Sequence, residues 1–224
     1  MNKVKVNRRG VLKAGLGAAA VASTVGLSGC ATSGGMAGSS SKKLGRVVVV
    51  GGGFGGATAA KYLNMWSEGA IEVTLIERQK EFYSCPISNL VIGGVRKMNE
   101  ITRTYDGLER RGIKMVYDEV TQIDPVKKVV MTAKGASISY DRLVVSPGVD
   151  FRFETINGLN AEAQKVVLHS WKAGPQTVAL RAQLEAMPNG GTFVMTVPKG
   201  PYRCPPGPYE RACQVANYFK REKP

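Results

Sequence analysis

The sequence predicts an α/β fold, because apolar runs of strand length flank a helical segment and a glycine-rich turn joins the first run to that segment. Residues 44–50 form a β-branched run without polar alternation, as expected of a parallel strand that is buried on both faces. Residues 57–66 have a helical pattern, and residues 71–76 form a second apolar run. Strand, helix and strand in this order predict a βαβ unit with two parallel strands.

Composition and charge indicate a folded protein and argue against nucleic-acid binding. The chain has 224 residues, of which 43% are hydrophobic, and a net charge of +14. Five of the positive charges lie within residues 1–30: Lys3, Lys5, Arg8, Arg9 and Lys13. The other Lys and Arg residues are scattered and form no stripe with interleaved aromatic residues, so we interpret them as a solvated basic surface. No nucleic acid is expected as a partner.

Residues 1–30 have the features of an export signal. Arg8 and Arg9 precede an apolar stretch, residues 14–27, that is rich in Gly and Ala and contains no acid. This pattern predicts export by the twin-arginine route to the periplasm, with a cofactor already bound. A membrane-spanning helix is the alternative, and the short, Gly- and Ala-rich stretch argues against it.

Cys30 stands at the end of this signal. Residues 27–30 have the form of a lipoprotein processing site, at which Cys30 would be lipidated and would tether the protein to a membrane. Cleavage by a signal peptidase further along the chain is the alternative. Residues 31–43 are rich in Gly, Ser and Thr, which predicts a flexible linker.

The turn after the first strand has the spacing of a phosphate-binding loop. Gly51, Gly53 and Gly56 satisfy the pattern G-x-G-x-x-G. Such glycines allow a tight turn, a close approach of the backbone to a pyrophosphate, and close packing of the helix on the strand. The N–H groups at the start of the helix then face the phosphates. The predicted cofactor contacts include Phe54 and Gly55 of the same turn.

Glu77 and Arg78 follow the second apolar run. Glu77 lies at the usual distance from the glycine turn for the acid that binds the hydroxyl pair of an adenosine ribose. An acid at this position, with Arg78 beside it, favours an unphosphorylated ribose. FAD or NAD is therefore preferred over NADP.

Two downstream segments favour FAD over NAD. Extended runs within residues 114–131, separated by Asp124 and Pro125, predict a small antiparallel meander. Residues 140–148, Tyr-Asp-Arg-Leu-Val-Val-Ser-Pro-Gly, resemble the second FAD fingerprint of the glutathione-reductase-like flavoproteins, which have two dinucleotide domains. This resemblance implies a glutathione-reductase-like FAD-binding Rossmann domain over residues 44–155, with Gly148 at the cofactor.

A single cysteine, Cys85, follows the ribose acid. It has no neighbouring cysteine, so no local disulfide can form. The Cys-x-x-Ser-Asn arrangement of residues 85–89 resembles the flavoprotein subunit of flavocytochrome c sulfide dehydrogenase, whose flavin is attached through a thioether to such a cysteine. The resemblance implies that Cys85 and Asn89 contact FAD and that the FAD is covalently bound. The alternative for Cys85 is a small, buried apolar residue.

Residues 156–224 predict the start of a second nucleotide-binding-type domain, which is incomplete. Residues 190–197 have the pattern of its first strand, and a proline-rich loop follows where a glycine turn would bind a nicotinamide nucleotide. That loop carries Cys204. A helix that begins near Pro208 follows the loop, and we expect Cys213 on it to be buried and too distant to pair with Cys204.

The run Arg203–Arg211, Arg-Cys-Pro-Pro-Gly-Pro-Tyr-Glu-Arg, resembles the same flavocytochrome subunit. There the cysteine is half of a redox-active disulfide on the flavin, and its partner would lie past the end of this sequence. The resemblance implies that sulfide attacks the disulfide at Cys204 and that two electrons pass to the flavin and then to a c-type cytochrome subunit. Glu210 would accept the proton of the sulfide, or would bind backbone donors at the helix N-terminus instead.

Two other functions stay open at this point. A sulfide:quinone oxidoreductase has the same fold and disulfide chemistry but delivers electrons to a membrane quinone. The expected end of the chain within the second domain also allows an inactive flavin-binding fragment. His169 is the only histidine, so no histidine triad or metal cluster is expected, and we interpret it as a core or surface residue.

Overall fold

The computed structural model describes residues 43–197 and 199–223. The predictions for the export signal, for Cys30 and for most of the linker lie outside these residues. Among the helices of the described residues, none is long and apolar enough to cross a membrane.

Four parallel strands form the central sheet. They are β1 (Gly45–Val50), β2 (Ile71–Glu77), β5 (Lys114–Tyr117) and β9 (Arg142–Val145), in the order β5-β2-β1-β9. Helix α1 (Phe54–Trp66) connects β1 to β2. The inner residues of β1 and β2 are buried because packed side chains cover both faces of the sheet, which explains why their sequences lack polar alternation. The predicted α/β unit is confirmed.

The predicted antiparallel meander is also present, with different bounds. It consists of β6 (Val120–Asp124), β7 (Val129–Thr132) and β8 (Ser137–Ser139). Lys114–Tyr117 was expected in the meander but pairs in parallel with β2 at the edge of the central sheet. A short apolar run does not indicate which neighbour it will pair with, so the sequence could not distinguish the two sheets.

A short excursion connects β2 to β5 and carries Cys85. It includes β3 (Glu81–Tyr83), which pairs antiparallel with β4 (Thr102–Thr104). Between these strands lie the 3₁₀ turn Cys85–Ile87 and helix α2 (Ser88–Ile92). The remaining short elements are the 3₁₀ turns Met98–Ile101 and Phe153–Thr155, α3 (Asp106–Glu109) and α4 (Ala163–Val166).

Two longer helices, α5 (Pro175–Ala186) and α6 (Gly207–Glu222), pack with α2 around their own apolar cluster. Its buried members are Ile92, Leu180, Leu184, Val215 and Tyr218. Because α2 belongs to the first predicted domain, this packing joins the two predicted segments. It also brings the residues around Cys85 next to the start of α6.

The strand predicted at residues 190–197 is absent. Residues 191–197 have no regular secondary structure, and Val194 is 74% exposed. A strand is stabilised by hydrogen bonds to a neighbouring strand, and nothing in residues 43–197 and 199–223 pairs with this segment. The segment has the apolar residues of a strand, but an apolar pattern does not show whether a neighbouring strand is available for pairing.

Candidate cofactor and sulfur site

The turn between β1 and α1 accepts only glycine at two of the predicted positions. Gly51 has a φ angle of +94°, and a Cβ atom on it would overlap the backbone oxygen of Ser146. A Cβ atom on Gly56 would overlap the backbone oxygen of Gly51. The first glycine therefore makes the tight turn, and the last one allows the helix to pack closely on the strand.

Two side chains hold Gly52 in place from opposite directions. Its N–H donates to Oε2 of Glu77 at 2.7 Å, and its carbonyl oxygen accepts from the hydroxyl of Tyr105 at 3.0 Å. Tyr105 is buried, and this burial raises the pKa of its hydroxyl far above the ordinary value, so the hydroxyl stays a donor. Sequence reasoning missed Tyr105, because a tyrosine beyond the motif carries no local signal for this contact.

The residues of this turn fit the diphosphate of FAD. A Cβ atom built on Gly53 would have no heavy atom within 4 Å, so the backbone at this residue is open to a ligand. No side chain caps α1, and within residues 43–197 and 199–223 the N–H groups of Phe54, Gly55 and Gly56 donate to no backbone oxygen. Free N–H groups at a helix N-terminus attract phosphate oxygens.

A cleft of about 180 Å³ lies beside this turn. Phe54 is 61% exposed at its edge, and the ring of Phe54 packs edge-to-face on Phe82 at 4.9 Å between centroids. The carboxylate of Glu77 also accepts from the N–H of Gln79 at 3.0 Å, and an ionised carboxylate can accept further hydrogen bonds from a ribose. The cleft is lined by Gly52, Gly53, Phe54, Ala57, Thr58, Phe82, Arg103, Thr104, Tyr105 and Leu108.

Three other predicted cofactor residues surround the same strand ends. Gly148 follows β9 with a φ angle of +78° and open space around it. A Cβ atom on Gly55 would lie 2.7 Å from the hydroxyl of Ser146, so a larger residue there would require the Ser146 side chain to move. Arg78 is exposed, and its guanidinium lies 3.9 Å from the carboxylate of Glu119. Arg78 is therefore oriented by the meander side of the sheet.

Cys85, predicted to attach the flavin, contacts Trp171, and Cys204, predicted as the redox cysteine, lies near the same residue. The thiol of Cys85 is half-buried and donates to the backbone oxygen of Trp171 at 3.3 Å. A Cβ atom built on Gly207 would lie 3.3 Å from Cζ3 of the Trp171 ring and 3.4 Å from Sγ of Cys204. The structure thus brings two sulfur atoms that are far apart in the sequence to the same tryptophan.

Cys204 is exposed and adopts a left-handed backbone conformation, with a φ angle of +60°. Its carbonyl oxygen accepts from the N–H of Gly207 at 2.9 Å, which closes a turn at the start of α6. A non-glycine residue in this region of φ is strained and is held there by its surroundings, here by the prolines that follow and by the turn.

The side chains of Glu210 and Asn89 bind each other. Nδ2 of Asn89 donates to Oε2 of Glu210 at 2.9 Å, and Oδ1 of Asn89 accepts from Nε of Arg211 at 3.0 Å. Asn89 was predicted as a cofactor contact. In the structure its buried amide forms hydrogen bonds with two side chains at the start of α6. The carboxylate of Glu210 was expected to bind backbone donors as the alternative to catalysis, and its hydrogen bond goes to the Asn89 side chain instead.

Arg211 is 2% exposed and lies at the centre of this cluster. Its guanidinium stacks 3.4 Å from the centroid of the Trp171 ring and donates to the backbone oxygens of His169 and Ser170 at 2.5 and 2.6 Å. Burial lowers the pKa of Arg211 to about 10, against the opposing effect of Cys85 and Glu210. The group is therefore still a cation at neutral pH. Sequence reasoning assigned no role to Arg211 or Trp171, although Arg211 ends the quoted run Arg203–Arg211.

Cys213 does not occupy the position that the sequence predicted. It lies on α6 as expected, but its side chain is exposed. The buried face of α6 is formed by Arg211, Val215 and Tyr218, and the helical periodicity places Cys213 on the opposite face. His169 is partly buried, as the sequence interpretation allowed, with its ring against Phe151 at 4.9 Å.

Comparison with known proteins identifies the class of this chain. Residues 45–182 match the family profile of pyridine nucleotide-disulphide oxidoreductases, and the chain belongs to that family. Residues 177–224 match the central region of the sulfide dehydrogenase (flavocytochrome c) flavoprotein chain. The curated flavoprotein chain from Chlorobaculum thiosulfatiphilum is 59% identical over 46 residues, which are 20% of this chain and 94% of the relative. Within the larger family, the chain is thus a member of the flavocytochrome c sulfide dehydrogenase flavoproteins.

Two further relatives cover a larger part of the chain. The mitochondrial sulfide:quinone oxidoreductase of Dictyostelium discoideum is 25% identical over 180 residues, which are 80% of this chain and 40% of the relative. The crystal structure of sulfide:quinone oxidoreductase from Aquifex aeolicus superimposes with a TM-score of 0.53 at 29% identity, over 62% of this chain and 31% of that one. The chain thus spans about 40% of the length of the sulfide:quinone oxidoreductase it matches. The family implies FAD, and the residues of the glycine turn fit it.

Proposed function

We propose that this chain is the flavin- and sulfur-binding part of a sulfide-oxidising enzyme. The observation that carries the proposal is the cluster at the start of α6: the thiol of Cys85 donates to Trp171, and Sγ of Cys204 and the ring of Trp171 both lie beside Gly207. The carboxylate of Glu210 in the first turn of α6 binds Asn89. A thiol, a carboxylate and a flavin cradle in one chain are the groups that oxidation of a sulfur nucleophile requires.

The chain's own residues have defined roles in this proposal. Bound FAD supplies an acceptor that takes two electrons and releases them one at a time. Cys204 forms a disulfide with a cysteine outside this sequence; hydrosulfide attacks one of the two sulfurs, a new S–S bond forms, and the other sulfur leaves as a thiolate with the electron pair of the broken bond. Glu210 receives the proton of the hydrosulfide, because its carboxylate lies in the first turn of the helix that follows Cys204.

A c-type cytochrome subunit is the electron acceptor in this proposal. The support is the 59% identity to the flavocytochrome c flavoprotein chain and the match of residues 177–224 to the same proteins. A sulfide:quinone oxidoreductase is the second candidate, because relatives with that name align with a larger share of the chain at lower identity. A periplasmic location after twin-arginine export, with or without a lipid tether at Cys30, belongs to the first candidate and stays a prediction.

The decisive experiment follows sulfide-dependent bleaching of flavin absorbance in the full-length, FAD-loaded protein. Cys204→Ser is expected to abolish the bleaching while leaving the flavin spectrum nearly unchanged. Cys213→Ser is the matched control, since it removes another exposed thiol, on the helix that follows the Cys204 loop, and should alter the rate by less than about tenfold. Near-normal bleaching in the Cys204 variant would defeat the disulfide mechanism.

A second measurement separates the two acceptors and tests for an inactive protein. Reoxidation by soluble c-type cytochrome, compared with reoxidation by a short-chain quinone, assigns the acceptor. A parent protein that binds FAD but shows no bleaching with sulfide would instead be an inactive flavin-binding protein.

A further inference from the structure

We propose that Arg211 is a positioning residue for the sulfur atoms of this site, acting through Trp171 and Asn89. The inference rests on the proposed function only in treating Cys204 as the reacting sulfur and Cys85 as the point of flavin attachment. The geometry by which Arg211 holds them is independent of the reaction.

Arg211 joins three segments that are distant in the sequence. From α6 it donates through Nε to Oδ1 of Asn89 on α2 and through its two terminal nitrogens to the carbonyl oxygens of His169 and Ser170. Its flat face lies 3.4 Å from the centroid of the Trp171 ring. Arg211 therefore holds Trp171 in two ways. It binds the backbone oxygens of the two residues before Trp171, and it stacks on the Trp171 ring.

Trp171 in turn lies beside both cysteines. Its backbone oxygen accepts the thiol hydrogen of Cys85, and its ring edge and Sγ of Cys204 lie around the same point at Gly207. If the segment of Trp171 moved, the acceptor of Cys85 and the neighbour of Cys204 would move with it. Arg211 thus holds the residue that lies beside both cysteines.

The chemistry of Arg211 also distinguishes positioning from simple packing. All of its hydrogen-bond acceptors are neutral, since they are two backbone carbonyls and an amide oxygen, and among the described residues it forms no ion pair with a carboxylate within 4 Å. A buried cation without a directly paired anion is costly, so a role in packing alone would be served better by an apolar side chain. Only a guanidinium can stack on the ring and donate in three directions in its plane at once.

Arg181 provides a matched control. It also stacks on an aromatic ring, with its Cζ atom 3.9 Å from the centroid of Tyr218, and it also donates to a backbone oxygen, that of Ile92 at 3.1 Å. It lies in the same helical cluster but contacts neither Trp171 nor the cysteines. Arg181 differs from Arg211 in pairing with Glu185 at 2.7 Å and in being less buried. Arg181→Lys therefore makes the same chemical change at a stacked arginine outside the sulfur cluster.

The experiment compares Arg211→Lys with Arg181→Lys in the full chain, prepared without flavin and reduced. Alkylation of Cys85 by iodoacetamide is measured by mass spectrometry relative to the exposed Cys213, which serves as an internal reference. We expect the ratio to rise about tenfold in Arg211→Lys, because the acceptor of the Cys85 thiol is released, and to stay near the parent value in Arg181→Lys. The Trp66→Phe background leaves Trp171 as the only tryptophan, and its emission should shift only in the Arg211 variant.

Each result decides the proposal. An unchanged alkylation ratio together with unchanged Trp171 emission in folded Arg211→Lys would overturn it, as would equal effects of the two substitutions. If Arg211→Lys does not fold by circular dichroism, Trp171→Phe replaces it, since the smaller ring weakens the same stack and should also raise the Cys85 ratio. An unchanged ratio in Trp171→Phe would likewise overturn the proposal.

A final measurement links positioning to the reaction. In the full-length, FAD-loaded protein, Arg211→Lys should lower the saturating rate of sulfide-dependent flavin reduction about tenfold, while the half-saturating sulfide concentration changes less than about threefold. A change confined to the half-saturating concentration would make Arg211 a binding residue and overturn the positioning role. A parent without any sulfide-dependent flavin reduction would sink the proposed function, and the alkylation experiment would still decide whether Arg211 positions the thiols.

Discussion

Nδ2 of Asn89 lies 2.9 Å from Oε2 of Glu210, although 121 residues separate them in the sequence. The amide of Asn89 is buried and contacts Arg211 through its other end, so one small side chain connects two charged groups of opposite sign. The connection joins α2, in the excursion that carries Cys85, to the helix that follows the Cys204 loop. Asparagine suits the position four residues after Cys85 because its amide can donate to Glu210 and accept from Arg211.

Asn89→Ala should destabilise the protein by about 2 kcal/mol, because it leaves Nε of the buried Arg211 without its acceptor. Urea denaturation followed by far-ultraviolet circular dichroism measures the loss. Asn217→Ala is the control, since Asn217 is exposed on α6, and should stay within about 0.5 kcal/mol of the parent. Equal stability of the two variants would show that the Asn89 bridge contributes little.

The glycine turn allows folding and cofactor binding to be separated. Gly56→Ala should destabilise the fold by about 3 kcal/mol, because its Cβ atom would overlap the backbone of Gly51. Gly53→Ala should leave stability within about 1 kcal/mol of the parent, since nothing in the protein lies near its Cβ position and its φ angle of −67° suits alanine.

The same Gly53 variant should nevertheless lose FAD. Its methyl group would stand where the backbone has to approach the diphosphate, so the ratio of flavin to purified protein should fall at least about tenfold. The ratio is measured from flavin and protein absorbance. A folded Gly53→Ala protein with the flavin content of the parent would contradict the assignment of this turn to the cofactor.

Cys85 is predicted to hold the flavin covalently. In the full-length protein, acid precipitation should leave the flavin in the pellet, and Cys85→Ser should release it to the supernatant. Cys213→Ser, a change of the same type at an exposed thiol, should leave the flavin in the pellet. Flavin that is released from the parent would instead make Cys85 only the donor to Trp171 that the structure describes.

The central fold could be predicted because its signals are local. Buried parallel strands give continuous apolar runs, and the glycine turn has a fixed spacing, so β1, α1 and β2 were found close to their observed bounds. The strand at Lys114–Tyr117 and the absent strand at residues 190–197 depend on which partner is available for hydrogen bonding. The tertiary structure determines the pairing partner of a strand, and a short apolar run carries no information about it.

The site was predictable where a motif covers it and unpredictable where distant segments meet. Gly51, Glu77, Cys85 and Cys204 each stand in a recognisable local pattern. The contacts of Tyr105 with Gly52 and of Arg211 with Trp171 span 53 and 40 residues, and a single sequence does not record such pairings. Cys213 is exposed because it lies opposite the buried face of α6, which includes Arg211.

His169 makes the segment of Trp171 sensitive to pH. Its Nδ1 atom accepts from the N–H of Trp171 at 3.1 Å, and a protonated imidazole cannot accept this hydrogen bond. Burial, helped by the charge of Arg211 and opposed by Asp150, lowers the pKa of His169 below its ordinary value of 6.5. The unfolded chain therefore takes up a proton at higher pH than the folded one does. Stability from this group is complete above about pH 6.5 and declines as the pH falls through the lowered pKa of the folded state.

His169→Asn tests this dependence, because the asparagine side chain offers an oxygen near the position of Nδ1 but does not titrate. Between pH 7.5 and about pH 5, the parent should lose stability relative to His169→Asn, by a difference that grows as the pH falls. In the Trp66→Phe background, the emission of Trp171 should change over the same range in the parent and stay constant in the variant. Urea denaturation and fluorescence at each pH measure the two effects. Parallel curves of stability and emission against pH for parent and variant would contradict the prediction. They would mean that protonation of His169 does not alter the environment of Trp171.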